Sequence, residues 1–70
     1  MGNDICKNFA NKLAEIRKSK KLTKTKLSEL AELDISYIGK IERCEKSPNL
    51  RTIGKLAQAL DIEPKELFEF

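Results

Sequence analysis

The chain has 70 residues, of which 40% are hydrophobic and 36% are charged, and its formal net charge is +3. A chain of this length can bury one modest core, so we expect a single domain over residues 1–70 and exclude two domains. No apolar run reaches the roughly 18 to 20 residues of a membrane span, and the start MGNDICKNFA lacks the charged and apolar regions of a signal peptide. We therefore expect a cytoplasmic protein with no membrane contact.

The charged residues are distributed unevenly along the chain. Residues 7–26 carry eight basic residues against Glu15 alone, and residues 61–70 carry four acidic residues against Lys65. This polarity favours a basic face for a polyanion and an acidic end turned away from it, although a solvated lysine-rich helix would give the same count.

The two cysteines, Cys6 and Cys44, match neither a zinc site nor a disulfide framework, because the chain has no histidine and no second cysteine pair. We expect both thiols to be reduced and half-buried, and we expect no metal or other cofactor.

Helical spacing of Phe9, Leu13 and Ile16 predicts a first helix over residues 6–20. Thr23 is a suitable N-cap for a second helix. The predicted buried stripe of this second helix consists of Leu27, Leu30 and Ala31. Its first turn carries Lys24 and Lys26, both against the positive end of the helix dipole. A phosphate placed opposite these lysines would turn that small cost into a stabilisation.

A third helix begins after Asp34, which can serve as its N-cap. Only two or three residues separate it from the second helix, so the two must cross steeply as a helix-turn-helix over residues 23–43. Ile38 and Ile41 form its buried pair. The opposite face carries side chains that a solvated helix seldom uses, namely Ile35, Ser36, Gly39, Lys40 and Arg43.

The loop Ser47-Pro48-Asn49 separates this motif from a fourth helix and supplies its N-cap. The predicted buried stripe of the fourth helix consists of Leu50, Ile53, Leu56, Ala57 and Leu60. Pro64 at a first helical position predicts a short fifth helix that carries Leu67, Phe68 and Phe70. Because no strand pattern occurs, the expected fold is all-α and compact, with five helices.

The segment LTKTKLSELAELDISYIGKIERCEKSPNLRTIGKLAQAL, residues 22–60, resembles the phage-repressor-like (XRE/Cro type) helix-turn-helix family of transcription regulators. Within that family it looks most similar to the controller proteins of restriction-modification systems, through the pattern L-D-x-S-Y-I-x-x-I-E-R. The resemblance implies a bacterial or phage-encoded, nucleoid-associated regulator that binds an operator in double-stranded DNA as a homodimer. RNA polymerase is a further possible protein partner of such a regulator, and no small-molecule ligand is expected.

The resemblance also implies that the third helix enters the major groove while the second helix begins against the sugar-phosphate backbone. The expected base-reading residues are Ile35, Ser36, Gly39 and Lys40. The expected phosphate contacts are Lys24, Thr25, Tyr37, Arg43, Lys46 and Asn49. Alternatively, Ile35 could pack beneath the fourth helix, and Lys24 and Lys40 could simply be solvated.

Other positions carry expectations about structure. Arg17 and Glu42 match positions where the family forms a salt bridge between the first and third helices. We expect Leu67 and Phe68 to complete the core. The expected dimer interface includes Ile62 and Phe70 outside the core, together with Leu67, although the C-terminus could instead fray or pack on its own chain. Two residues depart from the family pattern, because Glu32 and Cys44 stand where glycine is usual at the ends of the second and third helices.

The predicted function is therefore sequence-specific DNA binding by a transcriptional regulator. The alternative is a protein-interaction module or antitoxin-like adaptor that uses the same fold on a protein partner. An enzyme is the least expected class, because the sequence offers no histidine, no glycine-rich phosphate loop and too little chain for a substantial pocket.

Overall fold

The computed structural model describes residues 4–70. These residues form four α-helices, which are α1 (Ile5–Ser19), α2 (Lys24–Ala31), α3 (Ile35–Glu42) and α4 (Leu50–Leu60). A 3-10 helix, Pro64–Phe68, follows them. The described part of the chain contains no strand, so the all-α prediction is confirmed. Within residues 4–70 no helix has the length and apolar character needed to cross a membrane.

Three of the helices begin at the capping residues that the sequence indicates. Thr23 Oγ1 accepts a hydrogen bond from the Lys26 N–H at 3.0 Å, and Asp34 Oδ1 accepts one from the Ser36 N–H at 2.9 Å. Asn49 Oδ1 caps α4 by accepting from the Thr52 N–H at 2.9 Å. Each bond satisfies a backbone donor that has no partner within its own helix.

All four helices are followed at their carboxyl ends by residues with left-handed backbone conformation. Those residues are Lys21, Glu32, Cys44 and Asp61, with φ between 58° and 62°. None of them is glycine, the residue that adopts this conformation most readily. At Glu32 the left-handed residue makes the tight turn that directs α3 away from α2.

The core lies where α2 and α3 pack together, with α1, α4 and the 3-10 helix around them. Its fully buried side chains are Leu13, Leu27, Ile38, Ile41, Leu56, Leu60 and Leu67. Two residues of the predicted stripes lie outside it: Leu30 is half-exposed, and Leu50 is 86% exposed. Leu50 precedes Leu56 by six positions, which rotates it by about 120° away from the buried side of α4.

The expected fifth α-helix is wrong. Residues 64–68 instead form a single short 3-10 helix, in which the Glu66 N–H bonds the Glu63 carbonyl at 2.9 Å. Glu63 and Glu66 form a capping box at its start, and Pro64 occupies the first turn as predicted. A five-residue segment has too few i to i−4 hydrogen bonds to offset helix nucleation, so the tighter geometry is favoured.

The expectation of two reduced cysteines is also wrong, because a disulfide joins Cys6 to Cys44. Packing of α1 against α3 brings the two Cα atoms to 5.9 Å, an ordinary separation for a disulfide. The 38-residue separation in sequence conceals this proximity. The bond ties the first turn of α1 to the turn that follows α3.

Candidate nucleic-acid interface

The exposed side of α3 carries three of the four side chains predicted to read bases. Ile35 is 48% exposed, so it does not pack beneath α4, and Ser36 and Lys40 are also exposed. Ile38 and Ile41 are buried on the opposite side, as predicted, and anchor the helix in the core. An apolar, a hydroxyl and a cationic group are thus presented together on a rigid helix.

Ser36 is partly engaged within the protein. Its hydroxyl donates to Asp34 Oδ1 at 3.0 Å, beside the backbone bond from the Ser36 N–H to the same oxygen. These two bonds, with a smaller contribution from the charge of Lys40, hold the pKa of the Asp34 carboxyl below its ordinary value. The hydroxyl oxygen of Ser36 keeps its lone pairs for a donor outside the protein.

Gly39, the fourth predicted base-reading residue, is buried. The side chain of Arg43, one turn later, folds back over it, so that a Cβ atom at Gly39 would lie 3.0 Å from Arg43 Nη1. The space beside Gly39 is therefore filled by a guanidinium group and is not an open approach to the helix backbone.

Arg43 pairs with Glu45, a residue that the sequence reasoning did not single out. Arg43 Nε lies 2.9 Å from Glu45 Oε2, and Nη2 lies 3.3 Å from Oε1, with both side chains about half-exposed. Each partner stabilises the charged form of the other, which raises the pKa of Arg43 and lowers that of Glu45. The pair spans the left-handed residue Cys44, at a position where the family pattern has glycine, but that pattern does not indicate a partner for Arg43.

The start of α2 forms a second exposed region. Lys24, Thr25 and Lys26 are exposed there, and the first turn contains no acidic residue. Lys26 Nζ lies 4.0 Å from Glu29 Oε1 at the outer limit of an ion pair, so little of the positive charge is compensated. The free backbone N–H groups and the lysines together create a positive potential at this helix end.

The remaining predicted phosphate contacts lie on or beside the segment between α3 and α4. Lys46 is exposed, and the Glu45 and Lys46 N–H groups bond the Lys40 carbonyl at 2.8 and 3.3 Å, which anchors the loop to α3. Asn49 is exposed at the start of α4, where its side chain is occupied as the cap. Tyr37 is half-buried and packs against the core.

A buried ion pair holds α3 in position. Arg17 Nε lies 2.8 Å from Glu42 Oε2, Arg17 Nη2 lies 3.1 Å from Oε1, and the two side chains are only 8% and 7% exposed. The third guanidinium nitrogen, Nη1, donates to the Leu22 carbonyl at 2.8 Å. One side chain therefore links α1, the approach to α2 and the end of α3.

The burial of side chains in residues 62–70, the aromatic end of the molecule, differs in part from the prediction. Leu67, expected both in the core and at a dimer interface, is fully buried in the core, because the 3-10 helix directs it inward against α1 and α4. Ile62 is half-buried against the same core, and Phe70 is 58% exposed. Phe68, expected to complete the core, is partly exposed and lies 5.2 Å from Phe9 and 6.4 Å from Phe70 between ring centroids.

A family model described as helix-turn-helix (HTH_3) matches residues 13–67. Among curated proteins, this chain is 37% identical to Control protein C.BamHI of Bacillus amyloliquefaciens, over all of the chain and 88% of that protein. It is 42% identical over 52 residues to the immunity repressor protein of Bacillus phage phi105, covering 74% of the chain and 36% of that protein.

Solved structures give the same result. The restriction-modification controller protein C.AhdI from Aeromonas hydrophila superposes with a TM-score of 0.91 at 44% identity, covering 94% of this chain and 100% of that one. An HTH_3 family transcriptional regulator from Vibrio cholerae superposes with a TM-score of 0.88 at 31% identity, covering 91% of this chain and 36% of that one.

Proposed function

The chain belongs to the XRE-type helix-turn-helix family of transcription regulators, and from this premise we propose that it binds an operator in double-stranded DNA as a homodimer. The observation that carries the proposal is the exposed side of α3, where Ile35, Ser36 and Lys40 lie on a helix braced by a buried ion pair. Restriction-modification control is the regulatory role that the similar controller proteins suggest. In this proposal residues 1–70 act as one domain whose function is transcriptional regulation and not catalysis. Residues 1–3 of that domain lie outside the described structure.

In the proposed complex α3 enters the major groove and its exposed side chains contact base edges. Ile35 packs against a thymine methyl group, Ser36 bonds a base edge, and Lys40 reaches the acceptor atoms of guanine. Gly39 belongs to this surface through its backbone and the guanidinium that covers it.

The start of α2 would lie against one phosphate strand. Lys24 and Thr25 are the proposed contacts there, supported by the exposed, uncompensated positive charge and the free N–H groups of the helix end. Around the loop to α4, the proposed backbone contacts are Tyr37, Arg43, Lys46 and Asn49. Arg43 is included among these backbone contacts only because its side chain is positively charged.

Two copies would be needed for operator specificity, because one motif of this size reads few base pairs. Recognition helices of a dimer must then lie about 34 Å apart, one turn of the DNA helix. The proposed dimer surface is the aromatic end, where Phe70 and the partly exposed Ile62 are accessible and the acidic residues are turned from DNA. A dimer bound in the bacterial cytoplasm, on the nucleoid, would act by blocking a promoter or by contacting RNA polymerase.

The proposed phosphate contact is tested by the salt dependence of binding to a random-sequence duplex, measured by fluorescence anisotropy. Lys24→Ala should reduce the slope of log K against log salt by about one unit, because one fewer phosphate is neutralised. Lys65→Ala, at the opposite acidic end, removes the same charge and should leave the slope close to that of the wild type. Equal slopes for the two variants would contradict the proposed placement of α2.

A base-reading residue should behave differently. Lys40→Ala should weaken binding to the operator by about 1 to 3 kcal/mol and relax the preference at one base pair. If Lys40→Ala weakened operator and random duplexes alike, Lys40 would be a backbone contact.

A further inference from the structure

Arg43 and Gly39 form a unit at the centre of the exposed side of α3. The two residues are four positions apart, so they lie in line along the helix, between the directions of Ile35 and Lys40. Because Gly39 has no side chain, the guanidinium comes close to the helix, with Nη1 only 3.0 Å from the position that a Cβ atom would occupy. The guanidinium is thus held on the surface that the proposed function turns toward base edges.

Glu45 fixes the direction in which this guanidinium points. Its carboxylate occupies the edge formed by Nε and Nη2, as a bidentate pair. Nη1 has no acceptor among residues 4–70, and Nη2 has a second N–H, so the outer edge of the fork remains available. The anchored loop, in which the Glu45 N–H bonds the Lys40 carbonyl, holds the carboxylate in place.

The charges of Arg43 and Glu45 favour a base contact over a phosphate contact for Arg43. A phosphate contact gains mainly from net positive charge, yet Arg43 and Glu45 together are neutral, and the carboxylate would repel a phosphate beside it. Guanine instead presents two neutral acceptors, O6 and N7, which match the outer edge of an arginine fork. Beside these neutral atoms the Glu45 carboxylate causes little repulsion, and it keeps the Arg43 guanidinium in a fixed orientation.

We propose that Arg43 reads a guanine in each half-site and that Glu45 is the positioning residue that aims it. This inference rests on the proposed operator binding and replaces the assignment of Arg43 to the phosphate backbone. Gly39 provides the surface on which the guanidinium lies.

The test begins with a duplex selected by the wild-type protein from a random library, in which each base pair is then substituted. Arg43→Lys keeps the charge but loses the fork, so it should lose roughly 5- to 150-fold of discrimination at one guanine per half-site. Glu45→Gln should weaken the preference at the same guanine and increase the affinity for a scrambled duplex. Glu15→Gln, which removes an exposed negative charge on α1 away from the proposed DNA and dimer surfaces, should behave as the wild type.

Gly39→Ala provides a second, independent perturbation that favours the helix. The added methyl group displaces the flexible tip of Arg43, so the variant should fold and yet lose preference at that guanine. Circular dichroism of each variant establishes that it is folded.

The possible results separate this inference from the function on which it rests. If Arg43→Lys keeps the guanine preference and binds all duplexes slightly less well, Arg43 contacts phosphate and the inference is overturned while operator binding stands. If Arg43→Lys loses the preference but Glu45→Gln keeps it in full, the positioning role of Glu45 is overturned. If the wild type selects no sequence, both the operator function and the inference fail.

Discussion

Replacing Glu42 by Gln should strongly destabilise the protein. The change leaves Arg17 charged and buried opposite a neutral amide, whose single oxygen can accept only one of the two hydrogen bonds that the carboxylate accepts and whose NH2 group faces the guanidinium. Breaking a buried ion pair by removing one partner costs about 3 to 5 kcal/mol. A 70-residue domain has a total stability of about 4 to 10 kcal/mol, so Glu42→Gln should remove a large part of it.

Urea and thermal unfolding followed by circular dichroism measure this effect. At about 4 to 8 °C per kcal/mol, the melting temperature should fall by at least about 12 °C. Glu15→Gln is the matched control, because its pair with Lys12 is 3.4 Å long with Glu15 70% exposed. Loss of such a surface pair should change stability by less than about 1 kcal/mol.

A double variant separates charge burial from packing. Arg17→Met combined with Glu42→Leu should restore stability to within about 1 kcal/mol of the wild type, since apolar side chains of similar volume can replace a buried pair. If Glu42→Gln were no more destabilising than Glu15→Gln, the ion pair would not be what holds α3 in place.

Three further changes test other parts of the structure. Reduction by dithiothreitol should lower the free energy of unfolding by about 2 to 4 kcal/mol through loss of the Cys6–Cys44 bond, while a Cys6→Ser/Cys44→Ser variant should not respond. Gly54→Ala should raise stability in urea unfolding by about 1 kcal/mol, because the new methyl group meets nothing within 4 Å inside α4; a loss would contradict the geometry. Hydrogen bonds from Ser36 keep the pKa of Asp34 in the folded protein below its ordinary value of 3.8. The charged carboxylate therefore stabilises the fold at pH values above its unfolded-state pKa, and this stabilisation is lost as the pH falls through its folded-state pKa. The stability advantage of wild type over Asp34→Asn should therefore be constant above about pH 5 and shrink below about pH 4, and an advantage independent of pH would contradict this.

Local chemistry made the helix boundaries predictable. Thr23, Asp34 and Asn49 cap the helices as expected, because capping depends on a side chain and a backbone N–H only two or three residues apart. The 3.6-residue period likewise identified Ile38 and Ile41 as core residues.

Contacts that depend on turn geometry or on packing between helices were not predictable in the same way. The Arg43–Glu45 pair requires the left-handed residue between them, and the Cys6–Cys44 bond requires α1 to meet the end of α3. Phe68, expected in the core and found partly exposed, illustrates the limit of periodicity, because in a five-residue segment the pattern does not reveal which side is buried.

Operator binding by a homodimer can be measured by selecting bound duplexes from a random DNA library. The selection is done at about physiological salt, because non-specific attraction to DNA is then weak enough for base preferences to show. A dimer with two α3 helices in successive major grooves should enrich an inverted repeat whose half-site centres lie about ten base pairs apart. Absence of any enriched sequence, with the protein folded and concentrated enough to dimerise, would contradict operator binding. It would favour instead a protein-interaction module, and Phe70 would be the residue to change next.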